Sequence, residues 1–377
     1  MTGRAKIIVS GIFLGLLTLS FRGADRPTAT LAKYQQHAAL RGQWITGYYS
    51  AGNGIEPVAS IPWNKYTHVN HFAAAPGVSG GAGDGTIELH YLTQAETIQI
   101  VAAAHKTGKK ILVTIKDNDS YAGAFGQSTA PALVSKFASE IVSFVIANGY
   151  DGVDLDWEHQ INVPQYADLL KRLRAAMPNK IMTIAAGNWG GLDSVAGESQ
   201  SLLDQINLMC YDMDGPGTSY SWYNSALTQA SNGSVAACDW RARPFTAAGV
   251  PAAKIGIGIP FYGRRWAGVT QPLVRGNFST SVVKYRELVT DGARWQRQYR
   301  FYDSVYKSDY LSIPSLDEFI SYSGEHSIKD SVAWQKSNRF GGIMTFALEY
   351  EYLPAEKGDA RYPLSTPLCK EFFGQCP

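Results

Sequence analysis

The sequence predicts a (β/α)8 barrel carrying a small α+β insertion between its seventh and eighth strands. Three observations carry this prediction. Eight short apolar runs recur along the chain: Trp44 to Tyr49, His68 to Ala73, Lys110 to Ile115, Gly152 to Trp157, Ile181 to Ala186, Gln205 to Tyr211, Ile255 to Pro260 and Gly341 to Ala347. Helical periods lie between them, such as Thr93 to Thr107, Ala130 to Asn148 and Val163 to Ala176, several closed by Gly or Pro. Strands rich in Val and Ile that alternate with helices imply parallel crossover units covered on both faces. Eight of these over about 320 residues suit a closed barrel, whose active site lies at the C-terminal strand ends.

At the N-terminus, Arg4 and Lys6 precede an apolar run from Ile7 to Phe21, and Arg22, Asp25 and Arg26 follow it closely. That run is short for a bilayer span, and the pattern reads as a secretory signal peptide over residues 1–24. Sites near Ala24 or between Ala29 and Ala32 are compatible with cleavage; an uncleaved anchor is the alternative. The expected location is extracellular or periplasmic, with no membrane attachment of the mature protein. A polar segment to about Arg41 leads into the barrel, assigned to residues 42–360, and residues 361–377 form a C-terminal tail.

The regular rhythm breaks between Gly263 and Ser321. This stretch holds Trp266, Trp295, Tyr299, Phe301, Tyr302, Tyr306 and Tyr310, and Val282 to Thr290 and Gln298 to Ser304 read as strands. A small α+β insertion over residues 264–321 is expected, a long ordered loop being the alternative. Four cysteines allow three connectivities. Cys369 and Cys376 are close enough for a small disulfide in an oxidising compartment, whereas Cys210, inside an apolar run, reads as a buried thiol. No cysteine spacing suggests zinc and the seven histidines are scattered, so neither metal nor cofactor is expected.

A hydrophobic fraction of 45% with 18% charged residues fits a packed globular chain. The net charge of +2, without a basic cluster, gives no footing for a nucleic-acid or anionic-membrane partner. Neutral substrates are the natural inference. Aromatics at 12% exceed the usual demand of a core, and exposed aromatic faces suit flat sugar rings. A monomer is expected.

The chemistry concentrates in Asp151-Gly152-Val153-Asp154-Leu155-Asp156-Trp157-Glu158. Asp154, Asp156 and Glu158 occupy alternate positions, so on a strand their carboxyls share one face while Val153, Leu155 and Trp157 pack on the other. Crowded carboxyls repel, which raises at least one pKa toward the range needed by an acid that keeps its proton near neutrality. A solvated acidic strand edge is the bland alternative, though acidic residues are depleted in strands. Asp151 has the wrong parity and reads as structural.

This stretch resembles the signature of family 18 glycoside hydrolases, the chitinases and their relatives. Met209-Cys210-Tyr211-Asp212 is similar to the family's Met-x-Tyr-Asp motif at the end of the sixth strand. Ile257 to Arg264 resembles its seventh strand, Gly341 to Met344 its eighth and Gly47-Tyr48-Tyr49 its first, all in the family's order. The insertion falls where many chitinases carry a domain that walls the substrate cleft. Here it is shorter than usual, which would make the cleft shallower.

The resemblance implies cleavage of β-1,4-linked N-acetylglucosamine in chitin or its oligomers, with retention and without an enzyme nucleophile. Glu158 would protonate the glycosidic oxygen while the substrate's acetamido oxygen attacks C1, giving an oxazolinium ion. Asp156 would accept the acetamido N–H, and Asp154 would share a proton with Asp156 as a coupled pair. Tyr211 would donate to the acetamido oxygen. Tyr48, Met209, Asp212, Phe346, Trp157 and Arg264 are the expected substrate contacts. By alternation Met209 and Tyr211 face the interior, whereas Asp212 must reach the cleft from the strand end.

Two departures bear on the substrate. Where the family's third strand usually ends in Ser-x-Gly-Gly, this chain has Lys116-Asp117-Asn118-Asp119, and any of Lys116, Asp117 or Asp119 could face the cleft. Where its eighth strand usually supplies Trp, this chain has Phe346, which stacks with less area and no N–H donor. The aromatic of the second strand, in His71-Phe72-Ala73, fits with a shift of one residue. Action on N-glycan cores or peptidoglycan, and a non-catalytic carbohydrate-binding role, are the alternatives. Retention of Glu158 speaks against the last.

Overall fold

The computed structural model describes residues 42–50, 57–213, 220–228 and 235–376. The expected signal segment, residues 1–24, lies outside them. Among the described residues fourteen strands, β1 to β14, follow one another in chain order. Eight of them, β1 (Trp44–Ser50), β2 (His68–Ser79), β4 (Lys110–Lys116), β5 (Gly152–Asp156), β6 (Ile181–Ala186), β7 (Gln205–Leu208), β8 (Ile255–Pro260) and β14 (Gly342–Phe346), are parallel neighbours in the order β1-β14-β8-β7-β6-β5-β4-β2. Pairing of β1 with β2, Thr46 beside His68 through Ser50 beside Phe72, closes the barrel. Each of the eight apolar runs supplies one of these strands.

Two faces of the barrel wall divide the residues by parity. Outward, Val153, Leu155, Ile184, Ile206 and Leu208 join one apolar cluster with Phe137, Ile141, Leu169 and Leu170 of the helices Val134–Ala147 and Val163–Ala176. Fully burying such an aliphatic side chain contributes about 1.5–3 kcal/mol. Inward lies a buried polar layer, with Thr46, Asn70, Thr114, Asp154, Thr183 and Asn207 inaccessible to solvent. Aromatics close it above: Tyr48, Phe72, Tyr211 and Tyr262 cluster with Met209 and Met344.

Two additions depart from the simple barrel. Strand β2 runs on past the barrel, turns through Gly80 and Gly81, both at positive φ, and returns as β3 (Ala82–Glu88). Glycine adopts that left-handed backbone without the Cβ clash other residues meet. Between β8 and β14 the chain forms a five-stranded antiparallel sheet in the order β10-β9-β13-β12-β11. Its strands are β9 (Tyr262–Ala267), β10 (Ser279–Lys284), β11 (Arg300–Asp303), β12 (Ser308–Ile313) and β13 (Glu318–Tyr322).

Several expected details are corrected. The run Val282 to Thr290 is a strand only to Lys284; Tyr285–Thr290 is a helix, started by the Glu287 carboxylate accepting from the Lys284 N–H. Within Gln298 to Ser304 only Arg300–Asp303 is strand. Cys210 is not a free thiol but is bonded to Cys238, the first residue of the helix Cys238–Ala247. Strand β7 stops at Leu208 and the Cys210 N–H turns back to the Leu208 carbonyl at 2.8 Å. Cys210 thereby leaves the ladder and joins the outer apolar cluster. The C-terminal segment contains a helix, Ser365–Phe373, that buries Leu368 and Phe372, while Glu351 accepts the Leu364 N–H at 2.6 Å. Cys369 and Cys376 are paired.

Candidate active site

Register across β5 builds the floor of the site. Asp154 sits beside Thr114 of β4 and Thr183 of β6, and the shared parity of the three turns them into the barrel together. Asp154 accepts from the Thr114 hydroxyl at 3.0 Å, from the Thr183 hydroxyl, and from the Tyr48 hydroxyl of β1 at 2.9 Å. Asp156 lies one strand period further along, with Oδ1 buried and meeting no donor. Glu158 follows, half-buried, two residues past the strand end.

The three carboxyls differ in what holds their charge. Burial pushes all of them above the ordinary carboxylate range. At Asp154 three hydroxyl donors oppose that push, so its ionised form is the better solvated. Asp156 is driven well up by burial, then by the charges of Glu158, Asp154 and Asp117. Of the two, Asp156 is the more strongly driven toward its protonated form. Glu158 is raised by burial and next by Asp117, with His159 opposing.

Asp156 and Glu158, but not the fully buried Asp154, open onto a cavity of about 140 Å³ lined also by Tyr48, Met209, Tyr211, Asp212 and Phe346, together with Phe72, Ala185 and Tyr262. Tyr211 reaches it with a hydroxyl whose acceptor is the Met344 thioether, a weak one at 3.8 Å. Phe346 packs edge-on against Phe72, ring centroids 5.2 Å apart. Asp212 reaches the mouth because its backbone turns left-handed, φ 52°, a region that Asp tolerates better than most residues. Its carboxylate accepts from the Tyr262 hydroxyl at 2.8 Å and from Arg264 at 2.9 Å. Arg264 thus stands behind Asp212 at the cavity's edge. A larger crevice, about 440 Å³, lies on the insertion beside Trp295 and Tyr322, but none of the β5 carboxyls reaches it.

Trp157 is not a cavity residue. Its side chain is fully buried on the outer face, stacked on Phe125 with centroids 4.9 Å apart and planes 8° from parallel, and its Nε1–H donates to the His159 carbonyl. Parity carries it outward with Val153 and Leu155. Asp151 accepts from the Ile111 N–H at 3.0 Å and pairs with His105 and Lys110, far from the cavity in sequence register. In the atypical third-strand segment, Lys116 pairs with Asp119 and sits 5.9 Å from the Phe72 ring centroid, while Asp117 turns toward the Glu158 backbone. Among the described residues no cluster of His, Cys, Asp or Glu could hold a metal ion.

Residues 44–351 match the family described as Glycosyl hydrolases family 18. The chain belongs to this family. It is a chitinase-like glycoside hydrolase. It is 26% identical over 346 residues to Chitinase 1 of Aphanocladium album, covering 80% of this chain and 79% of that one. It is 31% identical over 242 residues to Endochitinase 1 of Metarhizium robertsii, covering 58% and 55%. The solved catalytic domain 2 of the Ostrinia furnacalis Group II chitinase superposes with a TM-score of 0.77 at 18% identity, over 89% of this chain and 98% of that one. A Nicotiana tobaccum Class V chitinase mutant solved with NAG4 gives 0.73 at 18%, over 88% and 99%. These two structures establish the shared fold.

Two contributors at the site are not among the expected site residues. Arg241, buried in the helix Cys238–Ala247, donates to the carbonyls of Met209 and Tyr211 and so fixes the β7 end that presents both residues. It lies on the helix whose first residue, Cys238, is bonded to Cys210 beside the β7 end. Tyr262 is the second: it follows the apolar run of β8 within the quoted seventh-strand motif, and its aromatic character at a strand end was the available signal.

Proposed function

We propose that this protein is a secreted glycosidase that cleaves β-1,4-linked N-acetylglucosamine in chitin or its oligomers, with retention, by substrate-assisted catalysis. The carrying observation is that Glu158, Asp156 and Tyr211 line one small cavity: two carboxyls that burial raises and a phenol whose hydroxyl meets only a weak acceptor. NAG4 bound to the Nicotiana tobaccum relative supports the substrate class. Secretion rests on the pattern of residues 1–24.

The steps follow from the groups present. Glu158 gives its proton to the glycosidic oxygen as the bond from that oxygen to C1 breaks, and the leaving sugar departs as an alcohol. The acetamido carbonyl oxygen forms the new bond to C1, and Tyr211 orients that oxygen by donating to it. With the acetamide bound, the proton of Asp156 lies on Asp154, and the Asp156 carboxylate accepts the acetamido N–H and stabilises the positive charge of the oxazolinium ion. The Glu158 carboxylate then takes a proton from water, whose oxygen adds to C1 from the face the leaving group vacated as the bond from C1 to the acetamido oxygen breaks and the acetamide is restored. Two inversions at C1 give net retention.

Replacing the acid tests this reading. Glu158→Gln keeps the size of the side chain and removes the transferable proton, so turnover of a chromogenic N-acetylglucosamine oligomer should fall by about 10²–10⁴-fold with an unchanged circular dichroism spectrum. Near wild-type turnover would refute it. Product analysis on chitin oligomers beside a high-mannose glycopeptide identifies the substrate; cleavage of the glycopeptide alone would reassign it.

A further inference from the structure

The segment that departs from the family pattern at the end of the third barrel strand holds a carboxyl that the steps above do not use. Asp117 is 7% exposed. Its Oδ2 accepts from the Glu158 N–H at 2.8 Å, the His159 N–H at 2.9 Å and the His159 ring at 2.9 Å. Its own N–H donates to the Asp156 carbonyl at 3.1 Å, continuing the β4–β5 ladder. Side chain and main chain of one residue therefore clamp the three residues that carry the acid and its neighbour. Asn118 stiffens the same turn, its amide donating to the Pro76 carbonyl at 3.0 Å and to Glu88 at 2.7 Å.

A purely structural clamp needs no charge. A neutral acceptor such as an Asn carbonyl would hold the two amides equally well, and Oδ1 of Asp117 is buried without any donor, an arrangement that opposes folding. What the charge does is act on its neighbours. We propose that Asp117 is a positioning residue for Glu158: its carboxylate fixes the backbone from which the acid projects and places a negative charge beside it.

That charge favours the protonated form of Glu158. After burial, Asp117 is the largest influence raising Glu158, and it raises Asp156 as well. Asp212 acts in the same direction on Glu158, while His159 and Lys116 oppose it. Burial also raises Asp117 itself, with the two amides and His159 holding it down. Of the carboxyls that act on Glu158, Asp117 is the one tied to its backbone.

The inference rests on Glu158 being the acid, and the test separates the two. The Glu158 carboxyl is titrated by ¹³C NMR in the full chain, its resonance assigned by its loss in Glu158→Gln, and compared in wild type, Asp117→Asn and Asp117→Ala. Asn keeps an acceptor for the amides, so Asp117→Asn should fold as wild type by circular dichroism. The Glu158 midpoint should fall by about 0.5–1 pH unit in both variants, and the alkaline limb of turnover should move down with it. Asp117→Ala, lacking the acceptor too, should lose more turnover than Asp117→Asn. An unmoved midpoint in Asp117→Asn would overturn the proposal whether or not Asp117→Ala folds. A falling midpoint in a chain that cleaves no N-acetylglucosamine oligomer would refute the function and leave the positioning role supported.

Discussion

Strand β5 has two faces separated by one residue, and they serve opposite ends. Outward, Val153 and Leu155, continued by Trp157, are fully buried among apolar side chains of the surrounding helices. Inward, Asp154 and Asp156, continued by Glu158, are carboxyls that burial raises above their ordinary range. A carboxyl raised on folding is worse solvated in its charged form than in the unfolded chain, so at neutral pH it opposes folding. The apolar residues offset this from the same short stretch. Strand alternation lets adjacent residues carry stability and reactivity without sharing an environment.

The division is tested by exchanging one residue on each face. Asp156→Asn removes the charge that would balance the oxazolinium ion, and turnover should fall by about 10²–10³-fold. Its urea midpoint should be equal to or above wild type at pH 7, because an ionisable group has left a buried site. Leu155→Ala should do the reverse: a stability loss of about 2–5 kcal/mol from the cavity it leaves, with turnover of the folded fraction near wild type. A destabilised Asp156→Asn, or a Leu155→Ala that stays folded yet loses turnover a hundredfold, would break the comparison.

Parity along a strand is a short-range rule, which is why so much of this site was legible. Asp154, Asp156 and Glu158 could be placed on one face from spacing alone, and the eight strands from apolar runs between helical periods. The same rule turned Trp157 outward, and its inclusion among substrate contacts, carried over with the motif, is what the structure corrects. Features set by the approach of distant segments were not legible. The Cys210–Cys238 bond and the reach of Arg241 depend on how a helix docks after β7. Asp117 stands out as an anomaly in the third-strand motif, but its turn toward Glu158 depends on the β4–β5 ladder extending one residue beyond β4. Strand β12 has a weak sequence signal because its run Ser308–Ile313 mixes polar and apolar residues.

A smaller effect sharpens the comparison by moving it away from the cavity. Glu349 lies in the turn Leu348–Tyr350 after β14, accepts from the Ser50 N–H at 3.2 Å and leaves its Oε1 buried without a donor. Burial pushes it up to about 7, yet it does not line the cavity. Between its unfolded value near 4.5 and about 7 the native state holds more protons than the unfolded state, so stability contributed by the protonated form is lost as pH rises through that window. Asp156 and Glu158 act in the same direction. Glu349→Gln removes one titration and keeps an acceptor, so the fall in urea-unfolding free energy from pH 5 to pH 7.5 should shrink by roughly 1–2 kcal/mol. The pH profile of turnover should stay in place, since no charge beside Glu158 has changed. A shifted turnover profile would mean that charge at the turn after β14 is felt at the acid, and the carboxyls that oppose folding would then have to be treated as one coupled set across the barrel top.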